Sequence, residues 1–595
     1  MRRLAAWVVA ALAGLPILAQ ASGADGGDLL AIGRRIYLEG ILPSGEPLRG
    51  VGEANVTLTG AQAACATCHR RSGYGSSEGP IEVRAIAGPA LFGDRVAPPA
   101  PGSAVPVPAA VDEAGLSPAE AARARARALR AVRTTQFLGS RPRPAYDDAS
   151  LARSIRDGID VSGRRMNPSM PRYALDPTSL AALTAYLKTL STRVPPGVTD
   201  DAVHFATVIQ PGSDPAHRRA VIDVLQAFMQ DYNRGQRVEA RREQAGQVQL
   251  GRTFRKWVLH VWDLRGESDT WAAQLEDHYR AQPVFALVSG LGDASWRPIH
   301  DFSERFEVPC ILPQVDVPVL AERDFYTVYL SRGITLEAQV LARFLMDGGE
   351  RGPVIQVHRR TGASAAGAEA FRAAWMNATG SPPVDLAVDS TPDEAFWRQV
   401  AARAAGATLV LWLSSRDLER ASILAAEPRV QAVYLSASLL PETRSGLAAD
   451  ASGRVRLVYP QDPPVLRDAR LAVVRQWFRN NGIALTDEKV QMNAYLAATV
   501  TGLLMAHSKD VYSREFLLER MEHRLGTALE LSIYPRLSLG PGQRYASKGS
   551  YVTVVGGRDD RQLRLVSDWI VPQGPAQAAD ASTLTLNSPT RRVPP

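Results

Sequence analysis

Cysteine is scarce in this chain: three in 595 residues, beside nine histidines. With so few of either, a zinc site has no second cysteine pair or histidine-rich run to complete it. Long apolar runs are also missing; beyond the N-terminal stretch none is long enough to span a bilayer. There is no Gly-x-x-x-x-Gly-Lys phosphate loop and no catalytic triad, so neither chemistry has support in the sequence. The net charge is +7, yet no basic stretch interleaved with aromatics accompanies it, which argues against nucleic acid as a partner. At this length one hydrophobic core is not enough, and two to about four domains are expected.

Two of the three cysteines stand together, in Cys65-Ala66-Thr67-Cys68-His69. Two thiols three positions apart with a histidine directly after the second form the attachment sequence of a c-type haem. The thiols add across the porphyrin vinyl groups, and the adjacent imidazole reaches the iron. A dithiol switch would sit at the start of a helix in a thioredoxin-like βαβ unit, and none is visible. The N-terminus agrees with a haem. Arg2 and Arg3 precede an apolar run from Leu4 to Leu18, and Ala19-Gln20-Ala21 is a small-x-small cleavage pattern. Residues 1–21 are therefore expected to be a signal peptide, with the mature chain beginning near Ser22 in the periplasm, where haem c is attached. No cysteine follows the apolar run, which argues against a lipoprotein anchor.

The surroundings of the pentapeptide carry a resemblance. Leu29, Leu30, Ile32, Gly33, Ile36 and Tyr37 recur at helical spacing before it, and Gly33 leaves room for a second helix. Leu180, Leu183, Leu187 and Leu190 share one face of a later helix, with Asp176 placed as N-cap and Pro177 as first residue. Between them Met170-Pro171-Arg172-Tyr173 leads into the closing helix. This pattern resembles class I cytochromes c, and residues 25–197 are read as such an all-α domain, with a Pro/Ala-rich surface insertion at about 96–143. The resemblance implies Met170 as the axial ligand opposite His69, with Met166 in Arg165-Met166-Asn167-Pro168 as competitor. It also implies a proline carbonyl accepting the other N–H of His69, for which Pro80 and Pro89 are both candidates. Six-coordinate iron of this kind implies electron transfer, with a redox partner protein such as a periplasmic dehydrogenase or another cytochrome. The basic run at 121–133 reads as a solvated helix face or as a docking patch for an acidic redox partner.

From residue 200 the pattern changes to short apolar runs alternating with amphipathic helices, as in α/β domains with parallel sheets. Strands are expected at His204–Ile209, Trp257–Trp262, Val354–His358 and Thr408–Leu413, and long helices at Leu466–Asn480 and Asp487–Ala506. The stretch Phe285 to Pro313, with Ser289-Gly290-Leu291-Gly292, and the closing stretch Leu537 to Pro572 resemble type I periplasmic solute-binding proteins of the branched-chain amino acid class. Residues 200–572 are read as that two-lobed fold, and 573–595 as a disordered tail. The resemblance implies a small-molecule ligand in the cleft between lobes, held at strand ends and helix N-termini. Ser213, Asp214, Ser289, Ser295 and Thr361 are candidates by position. The loop Arg359-Arg360-Thr361-Gly362 is basic, which suits an anionic ligand or none. Cys310 reads as a buried thiol in a strand.

The expected molecule is thus an exported monohaem cytochrome fused to a solute-binding-like module used for docking or sensing. The alternative is a solute-binding receptor of the ABC-transporter type with an accessory haem domain. Neither reading calls for enzymatic turnover.

Overall fold

The computed structural model describes residues 26–78, 81–93, 143–244, 255–293, 295–321, 324–348, 352–440, 454–507, 511–525, 532–540, 542–555 and 563–572. The signal peptide at 1–21, nearly all of the 96–143 insertion and the tail at 573–595 lie outside these residues. The described residues form two compact units, divided in sequence between Arg193 and Val194.

The first unit is built on two helices, α1 (Gly26–Glu39) and, at its end, Pro177–Thr189. They cross at Gly33, where an added Cβ would lie 2.1 Å from the carbonyl oxygen of Ala182. Only glycine allows that approach. Between them run β1 (Arg49–Val51), β2 (Thr57–Thr59), α2 (Cys65–His69), β3 (Ser76–Glu78), β4 (Ile81–Val83), α3 (Gly88–Phe92), α4 (Asp148–Asp157) and β5 (Arg172–Tyr173), and the closing helix is α5. The α5 N-terminus is capped as its sequence specifies: the Asp176 carboxylate accepts from the backbone N–H of Thr178 at 2.9 Å and Ser179 at 3.0 Å, with Pro177 at the first position. Helix α4 opens with an Asp147–Ser150 capping box and stops at Gly158, which is left-handed at φ +67. Ile36, Tyr37, Leu91, Leu151, Ile155, Tyr173, Leu183 and Leu187 form the core.

The expectation of an all-α unit needs correction. β1 pairs antiparallel with β2 and β5, and β3 pairs with β4. These strands are two or three residues long, too short to leave an alternating pattern in the sequence.

The second unit contains two sheets. In the first, all strands are parallel: β6 (Ala202–Ile209), β7 (Lys256–Asp263), β8 (Ala286–Val288), β9 (Leu291–Gly292), β10 (Cys310–Ile311), β11 (Gln314–Val315) and β12 (Thr327–Val328). Their order is β11-β9-β6-β8-β10-β12, with β7 on β6. The strands of the second sheet are β13 (Val354–Arg359), β14 (Val384–Val388), β15 (Thr408–Trp412), β16 (Ala432–Ser436), β17 (Val455–Tyr459), β18 (Tyr551–Val555) and β19 (Leu563–Leu565). Their order is β14-β13-β15-β16-β17-β18-β19; the first five are parallel and the last two antiparallel. The central strands β15 and β16 are buried along their whole length, which accounts for their continuous apolar sequences.

Helices α6 (Pro215–Gln244), α7 (Trp271–Ala281) and α8 (Arg297–Arg305) alternate with the strands of the first sheet, and α9 (Ile334–Asp347), α10 (Gly362–Thr379), α11 (Glu394–Arg403) and α12 (Ser422–Ala426) with those of the second. After β17 the chain returns. α13 (Pro464–Asn480), α14 (Glu488–His507) and α15 (Arg514–Arg524) place Leu471, Val474, Met492, Leu496 and Leu517 in one core with Val203, Phe205 and Val288 of the first sheet. Because the chain crosses back in this way, each lobe is assembled from segments distant in sequence, as the two-lobed α/β reading requires.

Candidate functional sites

In the first unit, the five-residue helix α2 carries Cys65, Cys68 and His69 on one turn and a half. The chain turns sharply out of it at Arg70, a non-glycine residue at φ +66, whose carbonyl accepts from the Tyr37 hydroxyl at 2.7 Å. His69 is 8% exposed. Its Nδ1 lies 2.8 Å from the Arg84 carbonyl oxygen, so Nδ1–H donates there and Nε2 keeps its lone pair. This corrects the expectation of a proline acceptor: Pro89 sits in the first turn of α3, and Pro80 lies outside the described residues. A β-hairpin between α2 and Arg84 brings the backbone round, so the carbonyl needs no proline to be placed.

His69 faces an apolar cavity. Cys65, Met166 and Met170 line the same cavity, with Leu48, Ile86, Leu91, Leu151, Leu175 and Leu183 supplying apolar wall. The two methionines come from a loop that is tied down at several points. The Met166 N–H donates to the Gly158 carbonyl at 2.8 Å, the Met170 N–H donates to the Asn167 carbonyl at 3.0 Å, and Asp160 accepts from the N–H groups of Ser162 and Arg164 at 2.9 Å each. Met170 also packs against the core of the unit. Burial lowers the pKa of His69, although the Arg84 carbonyl pulls the other way. Burial pushes the Cys65 thiol up to about 12. An imidazole and a thioether facing one apolar cavity, with two thiols on the helix that carries the imidazole, are a donor set that fits a haem c. Among the described residues no group of three or more His, Cys, Asp or Glu side chains is placed to hold a metal ion.

In the second unit, a cleft opens between the lobes, at the carboxyl ends of the parallel strands. Residues following β6, β9, β11 and β12 line one side, residues following β16 and β17 the other, and the first turns of α14 the floor. Of the positions expected from sequence only Asp214 lines it. Its Oδ1 accepts from the N–H groups of Ala216 at 2.6 Å and His217 at 3.3 Å, capping α6. Ser213 donates its hydroxyl to the Gln210 carbonyl at 2.9 Å. Ser289 is buried at φ +56 behind the wall, where the Gln314 amide donates to its hydroxyl at 3.4 Å. The Ser295 hydroxyl accepts from the Arg297 N–H at 3.3 Å, and Thr361 stands exposed before α10. Ser213 and Ser295 have local partners, Ser289 is met by Gln314, Thr361 makes no side-chain cap bond, and the structure does not bring the four together.

The basic loop is also accounted for elsewhere. The Arg359 guanidinium pairs with the Asp417 carboxylate and donates to the Asp389 carbonyl at 2.9 Å, and Arg360 pairs with Asp389 at 2.8 Å. Neither arginine lines the cleft. What does line it is acidic: Asp214, Asp293, Asp316 and Asp487, against Lys489 and His217. Asp487 pairs with His217 at 3.0 Å. Burial raises the pKa of Asp316, with Lys489 opposing and Asp293 adding to the shift. Asn493 is 3% exposed, and its Oδ1 has no hydrogen-bond partner among the described residues. Asp293, Asp316, Lys489 and Asn493 were not expected from the sequence; the one available signal was that Asp293 and Asp316 each directly follow a short strand.

No protein-family model matches the sequence, and no curated protein matches it. Solved structures do. One is a branched-chain amino acid ABC transporter from Thermus thermophilus with bound valine, 12% identical, covering 62% of this chain and 97% of that one at a TM-score of 0.45. A second is a leucine-binding protein from Thermotoga maritima, 13% identical, covering 62% and 99% at a TM-score of 0.44. A third is an ABC transporter solute-binding protein from R. palustris in complex with benzoate, 12% identical, covering 62% and 97% at a TM-score of 0.43. Among the described residues no helix is long and apolar enough to cross a membrane.

Proposed function

We propose that the chain is an exported solute-binding receptor of the ABC-transporter type that also carries one covalently attached haem c. The observation that carries the receptor reading is the position of the cleft. It lies between two α/β lobes, at the carboxyl ends of the parallel strands of both sheets. The haem part rests on His69 and Met170 lining one apolar cavity beside Cys65.

Cys65 at the cavity wall and Cys68, exposed on the same helix, would hold the group by thioether bonds, and His69 and Met170 would ligate its iron. When bound, such a group would supply a one-electron couple. The Arg84 carbonyl fixes the plane and tautomer of the His69 ring. The leucine and isoleucine wall keeps water away, and the loop from Asp160 to Met170 presents the thioether on a backbone held by its own hydrogen bonds.

A second reading is favoured by that same donor set. His/Met ligation suits electron transfer, and on this reading the two-lobed unit serves for docking or sensing beside a periplasmic dehydrogenase or another cytochrome. One pair of measurements on the exported protein separates the parts. A reduced-minus-oxidised visible spectrum should show a low-spin haem whose sulfur–iron charge-transfer band is lost in Met170→Ala and kept in Met166→Ala. A thermal-shift screen of amino acids, amines and organic acids should find a small molecule that stabilises the chain. A high-spin ferric spectrum with ready cyanide binding overturns the axial pair, and a chain that answers to no small molecule overturns the receptor.

A further inference from the structure

We infer that Asp160 is a fixed negative charge in the wall of the haem cavity, and that it lowers the potential of the iron. This rests on the haem reading and adds to it a residue that acts by charge and not as a ligand. Among the described residues that line the cavity Asp160 is the only acid, and it is 7% exposed. A carboxylate in such a place takes up a proton unless donors hold its charge. Here they do. Oδ1 accepts from the N–H groups of Ser162 and Arg164 at 2.9 Å each, and Oδ2 accepts from the Arg164 guanidinium, Nε at 3.2 Å and Nη2 at 3.1 Å. Burial raises the pKa of Asp160, but these donors outweigh it and leave the carboxyl below its usual value. It is therefore ionised at neutral pH.

The charges nearby do not cancel it. The Arg164 side chain is 48% exposed and screened by water, whereas that of Asp160 is 11% exposed. Two other cations line the cavity. Arg84 is exposed, and Arg143 directs its guanidinium to the carbonyls of Ala90, Leu91 and Pro144 and over the Tyr146 ring at 4.6 Å. A haem brings two propionate groups, enough to offset both. What remains is one carboxylate in an apolar wall, where a charge acts over a longer range than in water. Ferric iron carries one positive charge more than ferrous iron, so the carboxylate favours the ferric state. His/Met ligation raises the potential; Asp160 sets it back, and makes the ferrous chain a readier electron donor.

Spectroelectrochemical titration of the full, haem-loaded chain at neutral pH tests this with two variants. Asp160→Asn keeps an oxygen for the two backbone N–H groups that Oδ1 serves, and removes the charge. It should raise the potential by about 59 mV, a tenfold shift of the one-electron equilibrium toward ferrous iron, with the sulfur–iron band retained. Arg164→Gln leaves the carboxylate without its counter-charge and should lower the potential by a smaller amount. Shifts of opposite sign are the signature of charge, since a loosened loop would move both variants the same way. A potential that Asp160→Asn leaves in place, or that both variants move in one direction, overturns the proposal. So does loss of the sulfur–iron band in Asp160→Asn, which would make the residue a brace for Met170. If Asp160→Asn does not fold, Arg164→Gln decides alone: a lowered potential upholds the proposal, and an unchanged or raised one overturns it. A wild-type chain without haem overturns the haem reading and this proposal with it, whereas a haem-bearing chain whose variants do not shift overturns this proposal alone.

Discussion

Glu337 is fully buried on α9, and its carboxylate accepts from the hydroxyls of Ser436, at 2.6 Å, and Ser438. Burial lifts its pKa from 4.5 to about 7, against the pull of the two serines and of Lys489. The unfolded chain gives up this proton near 4.5, so between 4.5 and about 7 the folded state holds a proton that the unfolded state has lost. Stability from this group is therefore full at acid pH and falls as pH rises through the folded value. The melting temperature of the two-lobed unit should decline from about pH 5 to about pH 8, and Glu337→Gln should flatten that slope, a difference on the order of 2–3 kcal/mol. A second residue-scale case is Arg514. Its guanidinium donates to the carbonyls of Pro196, Val284, Phe285, Phe306 and Glu307, the shortest at 2.7 Å. Arg514→Met leaves these acceptors short of donors in a buried place and should cost at least about 3 kcal/mol in urea unfolding. Cys65, Cys68 and His69 stood out in the sequence because they are contiguous at a fixed spacing, and Met170 because it stands just before the closing helix. The cleft residues did not, because Asp293, Asp316 and Asn493 come from distant segments and each reads locally as an ordinary turn or helix residue. The arginines misled for the same reason: the carboxylate partners of Arg359 and Arg360 lie 58 and 29 positions away.

Among the elements, the crossing of α1 and α5 is the sharpest constraint. A Cβ on residue 33 would meet the Ala182 carbonyl, so Gly33→Val must push the helices apart. Overpacking of this kind costs about 1–3 kcal/mol, to be read as a lowered melting temperature of the first unit followed by circular dichroism. Asp176→Ala removes the side chain that satisfies two N–H groups at the start of α5 and should cost about 1 kcal/mol by the same readout. Both features could be read from the sequence, since helix caps and close-approach glycines are local. The strands β6, β7, β13 and β15 were equally legible; β6, β13 and β15 are buried along nearly their whole length, while β7 is half-buried. β1, β2 and β5 were missed because they are too short to show a period, and their pairing depends on Gly50 meeting Tyr173 across more than one hundred residues of chain. β17 to β19 were missed because β18 and β19 join the second sheet only after the chain has passed through α13, α14 and α15.

For the whole molecule, the central claim is that one exported chain joins a covalent haem to a solute-binding fold. The two-lobed architecture stands on its strand orders, and the haem on a donor set gathered around one cavity. The most direct test is a haem stain on a denaturing gel, with a pyridine haemochrome spectrum, of the chain expressed with haem attachment machinery in the periplasm. The account predicts one haem per chain, retained through denaturation, with both vinyl groups saturated, and absent from the Cys65→Ala, Cys68→Ala double variant. A chain that carries no haem, or whose haem is extracted by acid acetone, would contradict it.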